Sequence, residues 1–387
     1  MEKTLVVIAG EASGDLHAAR LVEELKTLFP AGRFYGLGGE KMRAAGVTLW
    51  HDLTQLAVVG FVEVLKHYAT FKRVFDDTLA RILSLGPDAV ILVDYPGFNL
   101  RLARELRKHG IRVVYFISPQ VWAWGRERIG AIRRDVDLML VLFRFEEELY
   151  KDGVLGKRDT PSFHVRFVGH PLLDAVRPAG TRAQVLAGAG FEDGGPIVGL
   201  LPGSREREIR ALLPVMLESA DRIHRKYPRT QFLICRASTV PRQLYKETIA
   251  RGRHEFPYKI LDNDTYSGVA ASDIVLVASG TATLETAILG RPMIILYKVS
   301  LLTWLLAKAC VRIPFIGLVN VVAGRKVVPE LIQFDATPSK VVAAFRALWE
   351  DPERLTATRA ALAAVKESLG APGACRRAAE AVASFLA

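Results

Sequence analysis

Cysteine is scarce in this chain. Its 387 residues include only three, Cys235, Cys310 and Cys375. They lie far apart, form no Cys-x-x-Cys pair and have no histidine at metal-ligand spacing. An odd and scattered set of this kind argues against a disulfide framework and against a zinc site, and it favours reduced thiols in the cytoplasm.

Long hydrophobic runs are also lacking. Met1–Lys3 lead directly into a short apolar segment, without the basic start, apolar stretch and small-residue cleavage site of an export signal. The most apolar stretch, Leu301–Leu318, is broken by Lys308, Arg312 and Pro314, whereas a spanning helix needs about 20 predominantly apolar residues. These patterns predict neither secretion nor a membrane span, but they allow contact with a membrane surface.

The overall composition is that of a folded protein. Half of the residues are hydrophobic and 24% are charged, which disfavours disorder. The length predicts two or three domains at roughly 150 residues each. Lys and Arg total 52 against 41 Asp and Glu, a net charge of +11, so we expect an anionic partner such as nucleic acid, a phosphorylated metabolite or an acidic membrane face.

Short apolar runs alternate with segments of helical spacing. Eight runs have the near-continuous apolar character of strands that are buried on both faces: Leu5–Ala9, Ala89–Val93, Val113–Ile117, Leu138–Phe143, Ile197–Leu201, Phe232–Ile234, Ile274–Ala278 and Met293–Leu296. Segments between them, such as Leu100–Lys108 and Glu206–Tyr227, carry helical periodicity. This order predicts an α/β fold with parallel sheets and right-handed crossovers.

Turn-forming residues divide the chain. Between Gly169 and Pro196, the sequences Gly-His-Pro, Arg-Pro-Ala-Gly and Asp-Gly-Gly-Pro lie close together, which is typical of a domain boundary. We therefore expect two Rossmann-like parallel-sheet domains, residues 1–170 and 171–336. Residues 337–387 are Ala-rich and helical in pattern, and they should form helices that cap or bridge the two domains.

Candidate site residues follow the predicted strands, because open parallel sheets bind ligands beyond the carboxyl ends of their strands. The first run is followed by a turn of small and acidic residues that opens a helix: Gly10-Glu11-Ala12-Ser13-Gly14-Asp15. Its small side chains and free N–H groups favour an anion. Ser13 and Asp15 could equally be helix caps.

Two further strand ends of the first domain carry useful chemistry. Asp94 follows a buried run and precedes a Pro-Gly turn. A partly desolvated carboxylate at this place could be a general base, or it could cap the next helix. Trp122 and Trp124 follow the next run; they could stack on a ligand or contact an acyl chain, although packing alone would explain at least one of them.

The second domain has two phosphate-binding signals. Gly203, Ser204 and Arg205 combine close backbone approach, a hydroxyl donor and a guanidinium at a helix N-terminus. A later strand ends in small and hydroxylated residues that suit a diphosphate: Ser279-Gly280-Thr281-Ala282-Thr283. Glu285, one turn further, could accept both hydroxyls of a ribose or complete a capping box. The triplet Asp262-Asn263-Asp264 could hold Mg²⁺ or form a turn.

Five motifs together resemble lipid-A-disaccharide synthase, a glycosyltransferase family of the GT-B type. They are Gly10–Asp15, Ser118–Trp124, Phe167–Pro171, Leu201–Arg205 and Ala278–Glu285. They occur in the order and spacing of that family, within residues 5 to about 335, and five motifs in register are specific where each alone is weak. The resemblance implies two Rossmann-like domains facing across a cleft, with a helical carboxyl terminus.

The resemblance also implies the reaction and its residues. An inverting transfer would join UDP-2,3-diacylglucosamine and 2,3-diacylglucosamine 1-phosphate into the β-1,6-linked lipid A disaccharide 1-phosphate and release UDP, with no metal or other cofactor. Asp94 would be the base, and Arg205 would offset charge on the leaving UDP. The residues implied for UDP are Gly203, Ser204, Arg205, Ser279, Gly280, Thr281, Thr283, Glu285 and Asn320. Those implied for the acceptor are Glu11, Ser13, Gly14, Asp15, Asn99 and Trp122.

The chain departs from the family pattern at two positions. Relatives often have Pro where this chain has Val319, and some carry an acid where it has Gly97. If the family's base stands at that second position, Asp94 replaces it here.

Because both implied substrates are lipids, the resemblance places the protein in the cytoplasm, peripherally associated with the anionic inner-membrane surface. Val59, Phe61, Val62 and Trp304 are the expected contacts, since each lies in an apolar segment beside basic residues. Both segments could instead be core or subunit-interface helices. A homodimer is compatible with the sequence.

The sequence also bears on nucleic acid binding and on two alternative functions. No interleaved aromatic and basic module predicts nucleic acid binding. The alternatives are an enzyme like a UDP-sugar 2-epimerase, and a non-catalytic nucleotide-binding protein of the membrane surface.

Overall fold

The computed structural model describes residues 2–53, 68–151, 163–301, 303–304 and 314–387. The chain divides into two compact units. Unit 1 comprises Met1–Pro171 together with Leu369–Ala387, and unit 2 comprises Leu172–Ser368. Each unit is built on a parallel sheet of its own, as the alternation of apolar runs and helical segments predicts.

Seven parallel strands form the sheet of unit 1, in the order β3-β2-β1-β4-β5-β6-β7. Their bounds are β1 Thr4–Ala9, β2 Arg33–Gly38, β3 Thr48–Asp52, β4 Ala89–Val93, β5 Val113–Phe116, β6 Leu138–Val141 and β7 His164–Phe167. The described helices are α1 Ala12–Leu28, α2 Glu40–Ala44, α3 Tyr68–Leu85, α4 Pro96–Lys108, α5 Ile129–Asp135 and α6 Arg144–Lys151, and a last helix, Ala374–Leu386, follows unit 2 in the chain. The strand order reverses between β1 and β4, which is where open sheets bind ligands.

Six parallel strands form the sheet of unit 2, in the order β10-β9-β8-β11-β12-β13. Their bounds are β8 Ile197–Leu201, β9 Gln231–Arg236, β10 Tyr258–Asp262, β11 Ile274–Ala278, β12 Met293–Tyr297 and β13 Glu330–Ile332. The described helices are α7 Leu172–Ala175, α8 Arg182–Ala189, α9 Glu206–Lys226, α10 Arg242–Ala250, α11 Thr265–Ala271, α12 Ala282–Ile288, α13 Leu318–Ala323, α14 Pro338–Trp349 and α15 Pro352–Ser368. Here the strand order reverses between β8 and β11.

The centres of both sheets form the cores. All residues of Leu5–Ala9 and Ala89–Val93 in unit 1 are fully inaccessible to solvent, as are the apolar residues Ile274–Val277 in unit 2. Helices cover both faces of a parallel sheet, which explains why these strands are apolar at every position rather than at alternate ones. No helix in the described ranges is long and apolar enough to cross a membrane.

The final helix, Ala374–Leu386, is α16, and it belongs to unit 1. Ala378 and Ala379 are buried, as are Ala18 and Ala19 of α1, and small side chains let α16 pack closely against α1. The Nζ atom of Lys3 also donates to the carbonyl of Leu386 at 3.2 Å. The terminal segment predicted as residues 337–387 is thus divided, because α14 and α15 lie in unit 2 and Leu369–Ala387 lies in unit 1.

Candidate active site

Unit 2 contains a cavity of about 700 Å³ at the carboxyl ends of its strands. A volume of this size suits a nucleotide-sized ligand. Seven of the nine residues predicted to bind UDP line it: Gly203, Ser204, Arg205, Ser279, Gly280, Thr281 and Glu285. They come from the segments after β8 and β11, the two strands at which the sheet order reverses.

The loop after β8 is held by an internal carboxylate. The main-chain N–H groups of Ser204 and Arg205 donate to Oε2 of Glu208 at 2.9 and 3.3 Å. Gly203, with φ of +123°, leaves no room for a side chain, since a Cβ there would lie 2.4 Å from the same oxygen. On the opposite side, the Thr239 hydroxyl donates to the Ser204 carbonyl at 2.7 Å. The loop therefore has a defined shape, and its N–H groups already serve an anion.

The side chain of Arg205 remains accessible in this arrangement. Its Nη1 atom lies 3.5 Å from Oε1 of Glu208, and the side chain is 68% exposed. An exposed ion pair of this length adds little stability. The guanidinium can therefore turn toward a stronger anion in the cavity at little cost.

The turn after β11 leaves its backbone open. A Cβ at Gly280 would meet nothing within 4 Å, so the main chain faces free space there. The buried Thr283 hydroxyl donates to the Gly280 carbonyl at 2.8 Å and supports the turn from below. Ser279 is tied to the carbonyl of Ile316 through a 3.1 Å bond from its hydroxyl. Thr283 shapes the turn rather than lining the cavity.

Glu285 lies one turn into α12, on the wall of the cavity. Burial raises the pKa of its carboxyl group, and a hydrogen bond from Tyr266 opposes that effect. The Tyr266 hydroxyl donates to Oε1 of Glu285 at 3.0 Å. The carboxylate thus has a fixed position and one oxygen directed away from its protein partner.

Asn320 lies outside this cavity. It is fully buried, and its Oδ1 atom accepts from the N–H groups of Val327 and Val328 at 2.8 and 3.1 Å. Its Nδ2 atom donates to the carbonyl of Val328 at 2.9 Å and to Oε1 of Glu330 at 2.8 Å. Four bonds use the full capacity of an amide side chain. Asn320 therefore connects α13 to β13.

Sequence reasoning missed the part of the cavity that lies beyond β9 and β10. Arg236, Thr239 and Tyr266 line that part, and Arg177 lines the cavity from the segment after α7. Arg236 is the last residue of β9, two positions after the apolar run Phe232–Ile234, so the strand-end rule, by which site residues follow the strands, could have found it. It pairs with Asp262, and this accounts for one carboxylate of the triplet considered as a metal site. The described residues include no group of three or more side chains placed to hold a metal.

Asp94 lies in strained backbone at the end of β4. Asp94 and Tyr95 both have φ of +49°, and Ile117, at the end of the neighbouring strand, has φ of +69°. Left-handed backbone at non-glycine residues costs about 1–3 kcal/mol each and tends to occur at functional sites. The Asp94 carbonyl accepts from the Tyr115 hydroxyl at 2.6 Å and from Nδ2 of Asn99 at 2.8 Å. These bonds hold the strained turn in place.

The environment of Asp94 suits proton transfer. Burial raises the pKa of its carboxyl group to about 6, the negative charge of Glu11 adds to the effect, and the N–H of Tyr95 opposes it. A base works best with a pKa near the operating pH. Glu11 is the N-cap residue of α1, and its side chain is exposed to solvent. The point at which the sheet order of unit 1 reverses thus carries a carboxylate that can take up a proton near neutral pH.

The residues predicted for the acceptor fall into two groups. Ser13 is exposed, and Gly14 is buried, where a Cβ would lie 3.8 Å from the carbonyl oxygen of Val93. Glu11, Ser13 and Gly14 form the first group, and all three lie at the start of α1, next to β4.

In the second group, the polar atoms already have partners, except that the buried Oδ1 of Asn99 has no hydrogen-bond partner among the described residues. The buried Asp15 carboxylate accepts from the N–H groups of Gly39, Lys41 and Met42 at 2.7–3.1 Å and so caps α2. Asn99 is fully buried beneath the Asp94 turn. Trp122 is buried, and its indole N–H donates to Glu146 at 3.3 Å. These three side chains support the walls of unit 1.

The predicted membrane contacts are only partly described. Val59, Phe61 and Val62 lie outside the described residues. Trp304 is half-buried, and its main-chain N–H donates to the carbonyl of Ser300 at 2.9 Å. Leu301 beside it is one of the most exposed large apolar residues of the described chain.

Comparisons with known proteins identify close relatives. The sequence matches the family described as Lipid-A-disaccharide synthetase over residues 5–385. It is 44% identical over 382 residues to the lipid-A-disaccharide synthase of Geobacter sulfurreducens, covering 99% of this chain and 97% of that protein. It is also 44% identical over 377 residues to that of Syntrophus aciditrophicus, covering 97% and 96% of the two chains.

Solved structures agree on the fold. UDP-GlcNAc 2-epimerase from Neisseria meningitidis, bound to UDP-GlcNAc, has a TM-score of 0.62 at 14% identity and covers 99% of both chains. The calicheamicin glycosyltransferase CalG4 has a TM-score of 0.60 at 14% identity, covering 100% of this chain and 98% of that chain. At such low identity these likenesses establish the fold alone. They confirm the predicted architecture, in which two Rossmann-like sheets are followed by terminal helices.

Proposed function

Because the chain belongs to the lipid-A-disaccharide synthase family, it is a glycosyltransferase of lipid A biosynthesis, and we propose how its two units carry out that reaction. The donor is UDP-2,3-diacylglucosamine, and the acceptor is 2,3-diacylglucosamine 1-phosphate. The single observation that carries the proposal is the match to one transferase family along nearly the whole chain.

UDP binds in the cavity of unit 2. The diphosphate lies over the open turn of Ser279, Gly280 and Thr281, and Glu285 accepts the ribose hydroxyls. The free space at Gly280 and the burial of Glu285 support this arrangement. Glu208 holds the neighbouring loop, so Gly203 and Ser204 contribute shape, while the accessible guanidinium of Arg205 contributes charge.

The acceptor binds unit 1 next to Glu11, Ser13 and Gly14, with its 6-hydroxyl at Asp94. The hydroxyl oxygen attacks C1 of the donor sugar and forms the new glycosidic bond. The bond between C1 and the diphosphate oxygen breaks on the opposite side, which inverts C1 to the β configuration. The proton of the 6-hydroxyl passes to the Asp94 carboxylate, whose raised pKa makes it an adequate acceptor.

Negative charge develops on UDP as it leaves. The N–H groups of the turn at Gly280 are partly positive and held by the backbone, and the accessible guanidinium of Arg205 turns toward the developing charge. They bind the transition state more tightly than the substrate, which lowers the barrier. The reaction then requires no metal ion.

Contact with an anionic membrane surface follows from the substrates, since both carry acyl chains. The net charge of +11 and the exposed Leu301 beside Trp304 support it. Val59, Phe61 and Val62 are the corresponding candidates in unit 1.

Epimerases as well as a glycosyltransferase share this fold, and because that likeness concerns the fold alone, an epimerase is the first rival that an assay should distinguish from the family's activity. A non-catalytic binding protein is the other rival. A transferase would form the disaccharide, an epimerase would form an epimer of the donor, and a binding protein would form no product. An activity measurement therefore separates the three functions.

The decisive experiment incubates the purified protein in detergent micelles with both lipid substrates and EDTA, and detects the disaccharide and UDP by mass spectrometry. Equal amounts of disaccharide and UDP are expected. Asp94→Asn should lower kcat by about 10²–10⁴-fold while retaining UDP binding, and Asp76→Asn, at an exposed carboxylate of α3, is the matched control. A donor epimer as the product, or a requirement for Mg²⁺, would contradict the proposal.

A further inference from the structure

Tyr266 lies on the wall of the cavity in unit 2 and directly contacts Glu285. Its hydroxyl donates to Oε1 of Glu285 at 3.0 Å, and both residues line the same space. Oε2 of Glu285 has no hydrogen-bond partner within the described ranges. One oxygen of the carboxylate is thus held by the protein while the other is available to a ligand.

The support behind Tyr266 is rigid. The next residue, Ser267, is fully buried, and its hydroxyl accepts from the N–H groups of Ala179 and Gly180 at 2.9 and 3.1 Å. Ser272, at the end of the same helix, donates to the carbonyl of Gly268 at 2.7 Å. Helix α11 is therefore tied to the segment before α8 and closed at its own end, so the backbone position of Tyr266 is set by buried contacts.

Tyr266 affects both the conformation and the ionisation of the Glu285 side chain. A glutamate side chain has several rotatable bonds, and ordering it on ligand binding costs conformational entropy. The bond from Tyr266 orders it before the ligand arrives. Burial also favours the protonated acid, and the Tyr266 hydroxyl counters this by donating to the ionised form.

We propose that Tyr266 is a positioning residue that presents Glu285 to a vicinal diol and so makes the cavity prefer a ribonucleoside diphosphate over its 2′-deoxy counterpart. The free Oε2 and the second lone pair of Oε1 match the two hydroxyls of a ribose. This inference rests on the proposed function, in which Glu285 accepts the ribose.

The test measures dissociation constants for UDP and 2′-deoxy-UDP by calorimetry on the full chain. The wild type should prefer UDP by about tenfold, the effect of one hydrogen bond to a charged group. Tyr266→Phe should weaken UDP binding by roughly three- to tenfold while leaving 2′-deoxy-UDP nearly unchanged. Glu285→Gln should bind the two nucleotides with similar affinity.

Tyr258→Phe is the matched control, because Tyr258 is an exposed tyrosine of β10 in the same unit. It should keep the wild-type preference. An equal loss for both nucleotides in Tyr266→Phe, or a preference unchanged from the wild type, would overturn the inference by showing a structural role or none. A wild-type protein that fails to bind UDP at all would contradict the proposed function instead.

Discussion

Asp94→Asn should stabilise the protein above neutral pH while it removes activity. Burial raises the pKa of Asp94 in the folded chain from 3.8 to about 6. Between these values the folded protein binds the proton more tightly than the unfolded chain does. The free energy of unfolding therefore falls as the pH rises from about 4 to about 6, and it stays lowered at higher pH.

The magnitude follows from the same values. At about 1.4 kcal/mol per pH unit, the ionised carboxylate costs the folded state about 3 kcal/mol. This is an upper limit, because the side chain is only partly buried and water screens it. For a unit of this size, 1 kcal/mol corresponds to about 2–4 °C in the melting temperature, so the variant should melt at most roughly 6–12 °C higher at pH 8.

The assay compares melting temperatures of the wild type and Asp94→Asn at pH 4 and pH 8, alongside the transferase rate. The variant should gain stability at pH 8 and show little difference at pH 4, with kcat reduced by about 10²–10⁴-fold. Asp76→Asn should show neither effect. The same shift in melting temperature at both pH values, or a less stable variant at pH 8, would refute the argument from burial.

Three further substitutions separate roles at the two sites. Glu11→Gln should lower the pKa of Asp94, since the charge of Glu11 raises it, so the acid limb of kcat/KM against pH should move to lower pH; an unmoved limb would exclude this coupling. Asp15→Ala should lower the melting temperature, with a loss of about 2–3 kcal/mol for its bonds to N–H groups, and leave the acceptor KM nearly unchanged; the reverse pattern would indicate direct acceptor binding. Asn320→Asp should place a carboxylate against Glu330 and destabilise unit 2 by several degrees, whereas a loss of UDP affinity in an equally stable protein would place Asn320 at the ligand.

The central strands could be predicted from the sequence, and the edges could not. Runs such as Ala89–Val93 are apolar throughout because helices cover both faces of the sheet. The four edge strands, β3, β7, β10 and β13, are partly exposed along their length. Their mixture of polar and apolar residues gives no continuous run, and β2 is interrupted by Gly36 and Gly38.

The same limit applies to the site. The strand-end rule placed Arg205 and Glu285 in one cavity, because parallel strands end at one edge. It could not separate Asp94, whose half-buried carboxylate lies at a strand end, from Asp15, whose carboxylate caps a helix 24 residues or more along the chain. Which polar group has a partner depends on distant segments, such as the Val327 and Val328 backbone at Asn320. The sequence around each residue does not reveal its contacts with distant segments.

The return of α16 to unit 1 has a consequence for how the protein is made. Unit 1 is interrupted after Pro171 and resumes at Leu369, so the ribosome synthesises about 200 residues of unit 2 in between. At about 5–20 residues per second, this takes roughly 10–40 seconds. During that interval the nascent chain exposes the surface of α1 that α16 later covers. The two units therefore complete their folding in the reverse of the order in which their synthesis begins.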